Sequence, residues 1–137
     1  MDDANLAEAL IDALALGLVL AVGLYLVGLG LAALAKPAAA SRFLSAFASS
    51  AKLHYLELGL RLVAGLAFVR HAPEMSAGGA FLALGWMLVL TSACLALLPW
   101  RWHRRFAERA VPQALRFLPV LGIMALALGG AVLLASG

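Results

Sequence analysis

Residues 13–35 have the sequence ALALGLVLAVGLYLVGLGLAALA, without a single charged side chain. About 20 apolar residues, rising 1.5 Å each, cross the hydrocarbon core of a bilayer, so this run predicts a transmembrane helix. The whole chain has the same character: of its 137 residues, 65% are hydrophobic and 12% are charged. A soluble domain is about half apolar and about a quarter charged, and one this small cannot bury so much apolar surface. The composition therefore indicates a membrane protein.

Three further apolar runs follow the first, at Leu53–Val69, Gly79–Leu98 and Phe117–Ala135. The Leu53–Val69 run is the weakest, because it contains Glu57 and Arg61. We still predict that it crosses the membrane, since its other residues are mostly apolar and since the two most basic loops could not otherwise share a side. The predicted fold class is all-α: a single integral membrane domain forming a bundle of four transmembrane helices.

Basic residues are concentrated between the first and second runs and between the third and fourth. These two loops contain eight of the ten Lys and Arg residues: Lys36, Arg42, Lys52, Arg101, Arg104, Arg105, Arg109 and Arg116. The positive-inside rule places both loops in the cytoplasm and both termini outside it. The N-terminal segment is acidic and the first run is long, which favours a retained helix over a cleaved signal peptide despite the alanines at 38–40.

An internal repeat accompanies this alternation. A shift of 62 positions superposes the first hairpin on the second and aligns four pairs: Gly17 with Gly79, Gly23 with Gly85, Pro37 with Pro99, and Arg42 with Arg104. The Pro–Arg spacing carries most of the weight, because apolar positions match easily by chance. The pattern predicts two helical hairpins duplicated in parallel orientation, in contrast to the inverted repeat common in transporters.

Both basic loops show helical periodicity, and each follows a proline that would stop the preceding helix. In residues 41–54, Phe43, Leu44 and Phe47 fall on one side and the serines on the other. This pattern fits an amphipathic helix lying in the cytoplasmic headgroup layer. It fits equally well an extension of the second and fourth spans into water, and both alternatives stay open at this point.

The first candidate site is a stripe on the second span formed by His54, Glu57 and Arg61, whose spacings of three and four put them on one helix face. Charges inside a bilayer are rare and usually face protein or water, so we expect the stripe to point into the bundle or a cavity. As a functional site, the stripe would bind an anionic headgroup, form part of a proton path, or bind the polar headgroup of a lipid or quinone. As a structural ion pair near the interface, Arg61 would reach up to phosphates. We favour the structural interpretation, because Glu57 lies about one turn inside the span.

The second candidate site is the run WRWHRR at residues 100–105. Tryptophan prefers the headgroup layer and arginine binds phosphate, so we predict lipid-headgroup contacts for five residues: Trp100, Arg101, Trp102, Arg104 and Arg105. The expected partners are anionic lipids at the cytoplasmic face. Nucleic acid is not expected, because a short loop against a membrane offers no element that reads a groove.

Smaller features concern packing. On the outer side, Asp12 is expected to pair with Arg70, and His71 could titrate near neutral pH. Small residues spaced by four mark helix faces that permit close approach, within the bundle or between protomers: Ala13, Gly17 and Ala21, then Gly28 and Ala32, then Ala125 and Gly129.

Signatures of catalysis are missing from the sequence, which has no paired-carboxylate site, metal-ligand cluster, nucleophile elbow or phosphate loop. Haem would need intramembrane axial ligands, and His54 lacks a second one at matching depth. We therefore predict no catalytic residue, no metal, no cofactor and no enzymatic activity.

Residues 54–110 resemble small, uncharacterised bacterial inner-membrane proteins of similar length. The residues that carry the resemblance are GW at 85–86, TS at 91–92 and above all LPWRWH at 98–103. That family carries no assigned activity, so the resemblance implies location in the bacterial inner membrane and topology, and it transfers no functional residues.

Two functions from different classes fit the sequence. The favoured one is an accessory or homo-oligomeric membrane component, because so few polar residues line the spans. The rival is a small transporter or a lipid- or quinone-binding protein that uses the stripe of His54, Glu57 and Arg61. A cavity reaching Glu57 from the cytoplasm would favour the rival, and a closed ion pair packed against the fourth span would favour the interaction component. A membrane enzyme is a third possibility, without a nucleophile to support it.

Overall fold

The structure is a computed structural model that describes residues 2–49 and 51–136, with the side chains of residues 47–49, 100, 103, 107 and 111 excepted. Over this range the chain is helical and contains no strand, which confirms the all-α prediction. The elements, in order, are α1 (Asp3–Ala35), α2 (Pro37–Ser49), α3 (Ala51–His71), a 3₁₀ turn (Ala72–Glu74), α4 (Gly78–Leu97), α5 (Trp100–Arg116) and α6 (Leu118–Ser136).

Three of these helices, α1, α4 and α6, are long and apolar enough to cross a membrane. Only 17% to 28% of the most apolar stretch of each is buried inside the protein, so most of their apolar surface faces outward. Helix α3 differs in its charge: any stretch of it long enough to cross includes at least three of its four charged residues, Lys52, Glu57, Arg61 and Arg70. By length and apolarity, three helices could therefore cross a membrane.

Helix α1 begins at Asp3, well before the predicted start of the first span at Ala13. The carboxylate of Asp2 caps it by accepting a hydrogen bond from the Asn5 N–H at 2.8 Å. At 33 residues the helix is roughly 50 Å long, against roughly 30 Å of hydrocarbon. Its acidic first turns therefore extend beyond the apolar stretch.

Packing joins helices that are distant in the chain. Helix α1 lies along α6, α3 lies along α4, and α1 also contacts α3, which gives the order α6–α1–α3–α4. Among the described residues, α4 and α6 do not lie along each other, but Phe81 of α4 and Val132 of α6 belong to the same buried cluster.

Glycines set the contact between α1 and α6. A Cβ atom on Gly30 would lie 2.6 Å from the Gly122 carbonyl oxygen, and one on Gly129 would lie 2.8 Å from the Gly23 carbonyl oxygen. The paired positions rise along one helix as they fall along the other, so the two helices run antiparallel. Backbones this close pack tightly without the hydrophobic effect that drives association in water.

Glycines also set the contact between α3 and α4. A Cβ atom on Gly65 would lie 2.9 Å from the Gly85 carbonyl oxygen, and the reverse distance, from Gly85 to Gly65, is 2.8 Å. Next to this contact the rings of Phe68 and Phe81 stack with their centroids 6.1 Å apart. These rings belong to the main buried cluster, at the end of the bundle away from the basic helices, which also contains Ala15, Val19, Ala67, Ala72, Met75 and Val132.

Helices α2 and α5 lie together at the opposite end of the bundle and contact each other. A second buried cluster of Ala33, Ala40 and Leu118 lies there, with Leu44 and Leu115 packed against it. Both helices are separated from the long ones by breaks in the helical backbone, at Lys36 and Pro99 before them and at Phe117 after α5. The second basic loop is thus a helix distinct from α6, whereas the junction of α2 with α3 falls at residue 50, outside the described residues.

Candidate functional site

The ion pair of the predicted stripe forms on α3. Arg61 Nη2 lies 3.1 Å from Glu57 Oε1, and the two side chains are 42% and 36% exposed. Their positions share a helix face with Gly65 and Phe68, which pack against α4. The pair therefore lies on the side of α3 that turns into the bundle, at a level where the neighbouring helices leave it partly open.

The position of the pair along α3 can be measured from the start of the helix, whereas the expected depth of Glu57, about one turn inside the span, stays a prediction. Because the helix begins at Ala51, Glu57 lies roughly 9 Å and Arg61 roughly 15 Å from its start, at 1.5 Å per residue. Arg61 is the middle residue of the 21-residue helix. An α3 that crosses the bilayer therefore carries a guanidinium near the midplane, where an arginine costs about 3 kcal/mol on insertion scales.

His54 differs from the Glu57–Arg61 pair in its burial. Its side chain is 1% exposed, and its ring lies 5.1 Å from that of Tyr55, tilted by 58°. The stripe thus divides into an accessible pair and a histidine enclosed by protein. Ligands reaching Glu57 or Arg61 from outside would not reach His54.

Two aromatic residues that the sequence interpretation missed complete the surroundings of the pair. Tyr25 of α1 lies within electrostatic range of both Glu57 and Arg61. Its ring centroid is 6.5 Å from that of Phe43 on α2, tilted by 54°. Tyr25 and Phe43 are 51% and 43% exposed. We call Tyr25, Phe43, Glu57 and Arg61 the Tyr25–Arg61 patch, where α1, α2 and α3 meet. The sequence signal that could have identified Tyr25 was its hydroxyl group in an otherwise apolar run.

The predicted lipid-contact residues lie on α5, and four of their side chains are described. Arg101, Trp102, Arg104 and Arg105 are all exposed, Trp102 by 65%. Trp100 lies outside the described side chains. The arginines fall on one face of the helix, together with Glu108, whose Oε1 is 3.2 Å from Arg104 Nε.

The opposite face of α5 is apolar and equally uncovered. Trp102 and Phe106 are four residues apart, and Phe106 is 66% exposed. A helix with a basic face and an aromatic face is typical of segments that lie in the plane of the membrane interface. Both faces of α5 are exposed over its described part, so neither face is covered by the other helices of this chain.

The other end of the bundle carries the predicted pair between the first and second long helices. Arg70 Nε donates to Asp12 Oδ1 at 2.7 Å, which confirms the expected contact and ties α1 to α3. The pair borders an open groove of about 560 Å³ lined by Asp12, Leu66, Val69, Arg70, Pro73 and Glu74. His71 is buried nearby, with Nδ1 3.7 Å from Glu74 Oε2.

Comparison of the chain with protein-family models, with curated proteins and with solved structures found no match. The resemblance of residues 54–110 to small bacterial inner-membrane proteins therefore stays a prediction. Among the described residues, no three His, Cys, Asp or Glu side chains lie close enough together to hold a metal ion. Function must accordingly be argued from the exposed helix faces and from the Tyr25–Arg61 patch.

Proposed function

We propose that this protein is a non-enzymatic four-span component of the bacterial inner membrane that acts through self-association. The observation that carries the proposal is an exposed small-residue face on α1. Ala13, Gly17, Ala21 and Gly28 are all exposed, and a Cβ atom on Gly17 or Gly28 would have no atom within 4 Å. Spacings of four, four and seven place these residues along one side of the helix.

Helix α1 thus carries two small-residue faces. One, with Gly23 and Gly30, is filled by α6. The other is open at Gly17 and Gly28, and it also carries Tyr25, whose ring lies 6.5 Å from that of Phe43 on α2. Lipid gains nothing from contact with glycine, and glycine costs helix stability, roughly 1 kcal/mol relative to alanine. The same residues are favoured where a second helix approaches. We therefore expect a second helix against Gly17 and Gly28.

A second copy of this chain is the occupant we favour. The free face lies on one helix, so the same residues of two copies can meet around a twofold axis, the commonest symmetry of protein dimers. A different membrane protein would have to bring a matching small-residue face of its own. Self-association requires nothing beyond what this chain already contains.

The proposal of four spans rests on how α3 is packed. It lies along α4 through a close glycine contact of the same kind that joins α1 to α6. Helices α2 and α5 contact each other, and α3 connects their end of the bundle to the far end. If α1 and α4 cross, α3 crosses between them. Both basic helices then lie in the cytoplasm and both termini outside it.

Duplication of a hairpin is supported by the order of the elements. Helices α1–α2–α3 and α4–α5–α6 each run long, amphipathic, long. Gly23 and Gly85, which the shift of 62 positions superposes, each lie at a close contact with a helix from the other half. The pairs α1–α6 and α4–α3 correspond under the repeat, which favours a pseudo-twofold bundle.

Helix α5 would hold the cytoplasmic end of the protein in the headgroup layer. Trp102 and Phe106 would enter the acyl boundary, and Arg101, Arg104 and Arg105 would contact anionic headgroups. Each such basic residue contributes about 1 kcal/mol near a negatively charged leaflet. Anionic lipids are therefore the second partner that we propose.

The test of self-association compares two sets of glycines that are equally open in the single chain. Sedimentation equilibrium in density-matched mild detergent should show wild type at twice the protomer mass. The variant Gly17→Leu with Gly28→Leu should sediment as a monomer, because the added side chains keep the backbones apart. As the matched control, Gly59→Leu on α3 also fills open space and should remain dimeric. A monomeric wild type, or a dimer that survives the double substitution, would contradict the proposal.

A further inference from the structure

We propose that the Tyr25–Arg61 patch binds the neutral, planar, carbonyl-bearing headgroup of a lipid-soluble ligand of the quinone class. The inference goes beyond self-association, because it assigns a ligand to groups at the junction of α1 with α2 and α3. Tyr25 lies between Ala21 and Gly28 on the same side of α1, so the ligand would bind beside the proposed contact between two copies.

Charge is the first argument. Glu57 and Arg61 are 3.1 Å apart and neutralise each other, so the patch has no net charge to attract a phosphate, and the carboxylate would repel one. One contact to Glu57 leaves most of the five N–H donors of the guanidinium free, and Tyr25 adds an O–H. These groups together suit a neutral ligand with carbonyl oxygens, which accept hydrogen bonds without bringing charge.

Depth is the second argument. The pair lies roughly 9 to 15 Å along α3, within the hydrocarbon layer if α3 spans. A phospholipid keeps its headgroup in the interface, whereas a neutral ring on an apolar tail partitions into the hydrocarbon. Only the second kind of molecule brings a polar group to this level at low cost. A guanidinium is expensive at this level, so a ligand that accepts its remaining hydrogen bonds would lower that cost.

Aromatic rings and access are the third argument. Tyr25 and Phe43, with centroids 6.5 Å apart and tilted by 54°, form an aromatic border beside the polar groups. Planar ligands pack well on such rings. All four side chains of the patch are between 36% and 51% exposed, so a ligand can reach them laterally from the lipid.

The experiment titrates purified protein in mild detergent with a benzoquinone that carries a ten-carbon tail, by isothermal calorimetry, with native mass spectrometry to count bound molecules. Tyr25→Phe removes a single hydroxyl and keeps the ring, and should weaken binding by roughly fivefold, as expected for one lost hydrogen bond. Glu57→Gln with Arg61→Gln removes both charges together, avoids leaving either one unpaired, and should weaken binding at least tenfold.

The matched control is Tyr55→Phe. Tyr55 is 48% exposed, against 51% for Tyr25, and lies two residues before Glu57. Two positions on a helix are roughly 200° apart, so its hydroxyl points away from the pair. Wild-type affinity is expected for this variant.

Three results would overturn the proposal: no saturable binding of the benzoquinone to wild type, equal losses in Tyr25→Phe and Tyr55→Phe, or saturable uptake of phosphatidylglycerol in its place. Sedimentation of the variant Glu57→Gln with Arg61→Gln separates this proposal from the previous one, because these residues lie on α3 and not on the small-residue face of α1. A dimer with weakened ligand binding shows that the two are independent, so either can fail alone.

Discussion

Gly28 and Gly30 are two residues apart on α1 and experience opposite surroundings. A Cβ atom on Gly30 would lie 2.6 Å from a backbone oxygen of α6, whereas one on Gly28 meets open space. We predict that Gly30→Ala destabilises the fold by roughly 1–3 kcal/mol, the usual cost of overpacking. Gly28→Ala should leave stability unchanged or raise it slightly, because alanine favours helix. Unfolding in mixed micelles of increasing denaturing detergent would measure both, and equal effects would refute the α1–α6 contact.

Asp12 and Arg70 form an ion pair of a different kind, which joins two helices at the surface. Their side chains are 48% and 45% exposed, so solvent screens the pair and its contribution is small. We predict that Asp12→Asn lowers stability only slightly and that added salt removes most of the difference. The same unfolding assay at low and high salt would measure this. A larger, salt-independent loss would mean that Asp12 is shielded from water.

At the scale of the element, α5 provides the sharpest prediction. The variant Arg101→Gln, Arg104→Gln and Arg105→Gln should retain several-fold less phosphatidylglycerol relative to phosphatidylethanolamine after extraction, because each arginine adds about 1 kcal/mol near an anionic surface. Native mass spectrometry of the extracted protein would count both lipids. Lys36→Gln, Arg42→Gln and Lys52→Gln form the control, with the same loss of charge around α2. If this control loses as much anionic lipid, net charge and not α5 governs retention.

Helix α3 shows what a pattern of residues establishes and what it leaves out. Spacing alone put Glu57 and Arg61 on one face, and the structure places them 3.1 Å apart. Spacing could not reveal that Tyr25 approaches them, since that depends on how α1 and α2 lie against α3. Nor could it reveal that His54 is enclosed, because burial of one turn of a helix depends on its neighbours in space. Helix α3 extends two residues beyond the predicted span Leu53–Val69 at each end, so Arg61 is the middle residue of both.

At the scale of the whole molecule, apolar runs and prolines predicted the helices well. The breaks at Lys36 and Pro99 follow from proline stereochemistry, whereas periodicity left open whether the basic segments are separate helices or extend the spans that follow them. The extension of α1 back to Asp3 was missed, because hydropathy marks where a helix leaves the bilayer and not where it ends. The packing of α1 against α6 could not be predicted from the sequence either, because lipid-facing and protein-facing residues are equally apolar.

The whole account depends on α3 crossing the membrane, because the shared side of α2 and α5 and the depth of the Tyr25–Arg61 patch both follow from it. The direct measurement is the location of the two termini. Cysteines placed at Asn5 and Ser136, each in a Cys94→Ala background, would be labelled on intact cells with a membrane-impermeant maleimide. We predict labelling of both from outside. Labelling of only one terminus, with the other reached only after the cells are lysed, would mean an odd number of spans and would contradict the account.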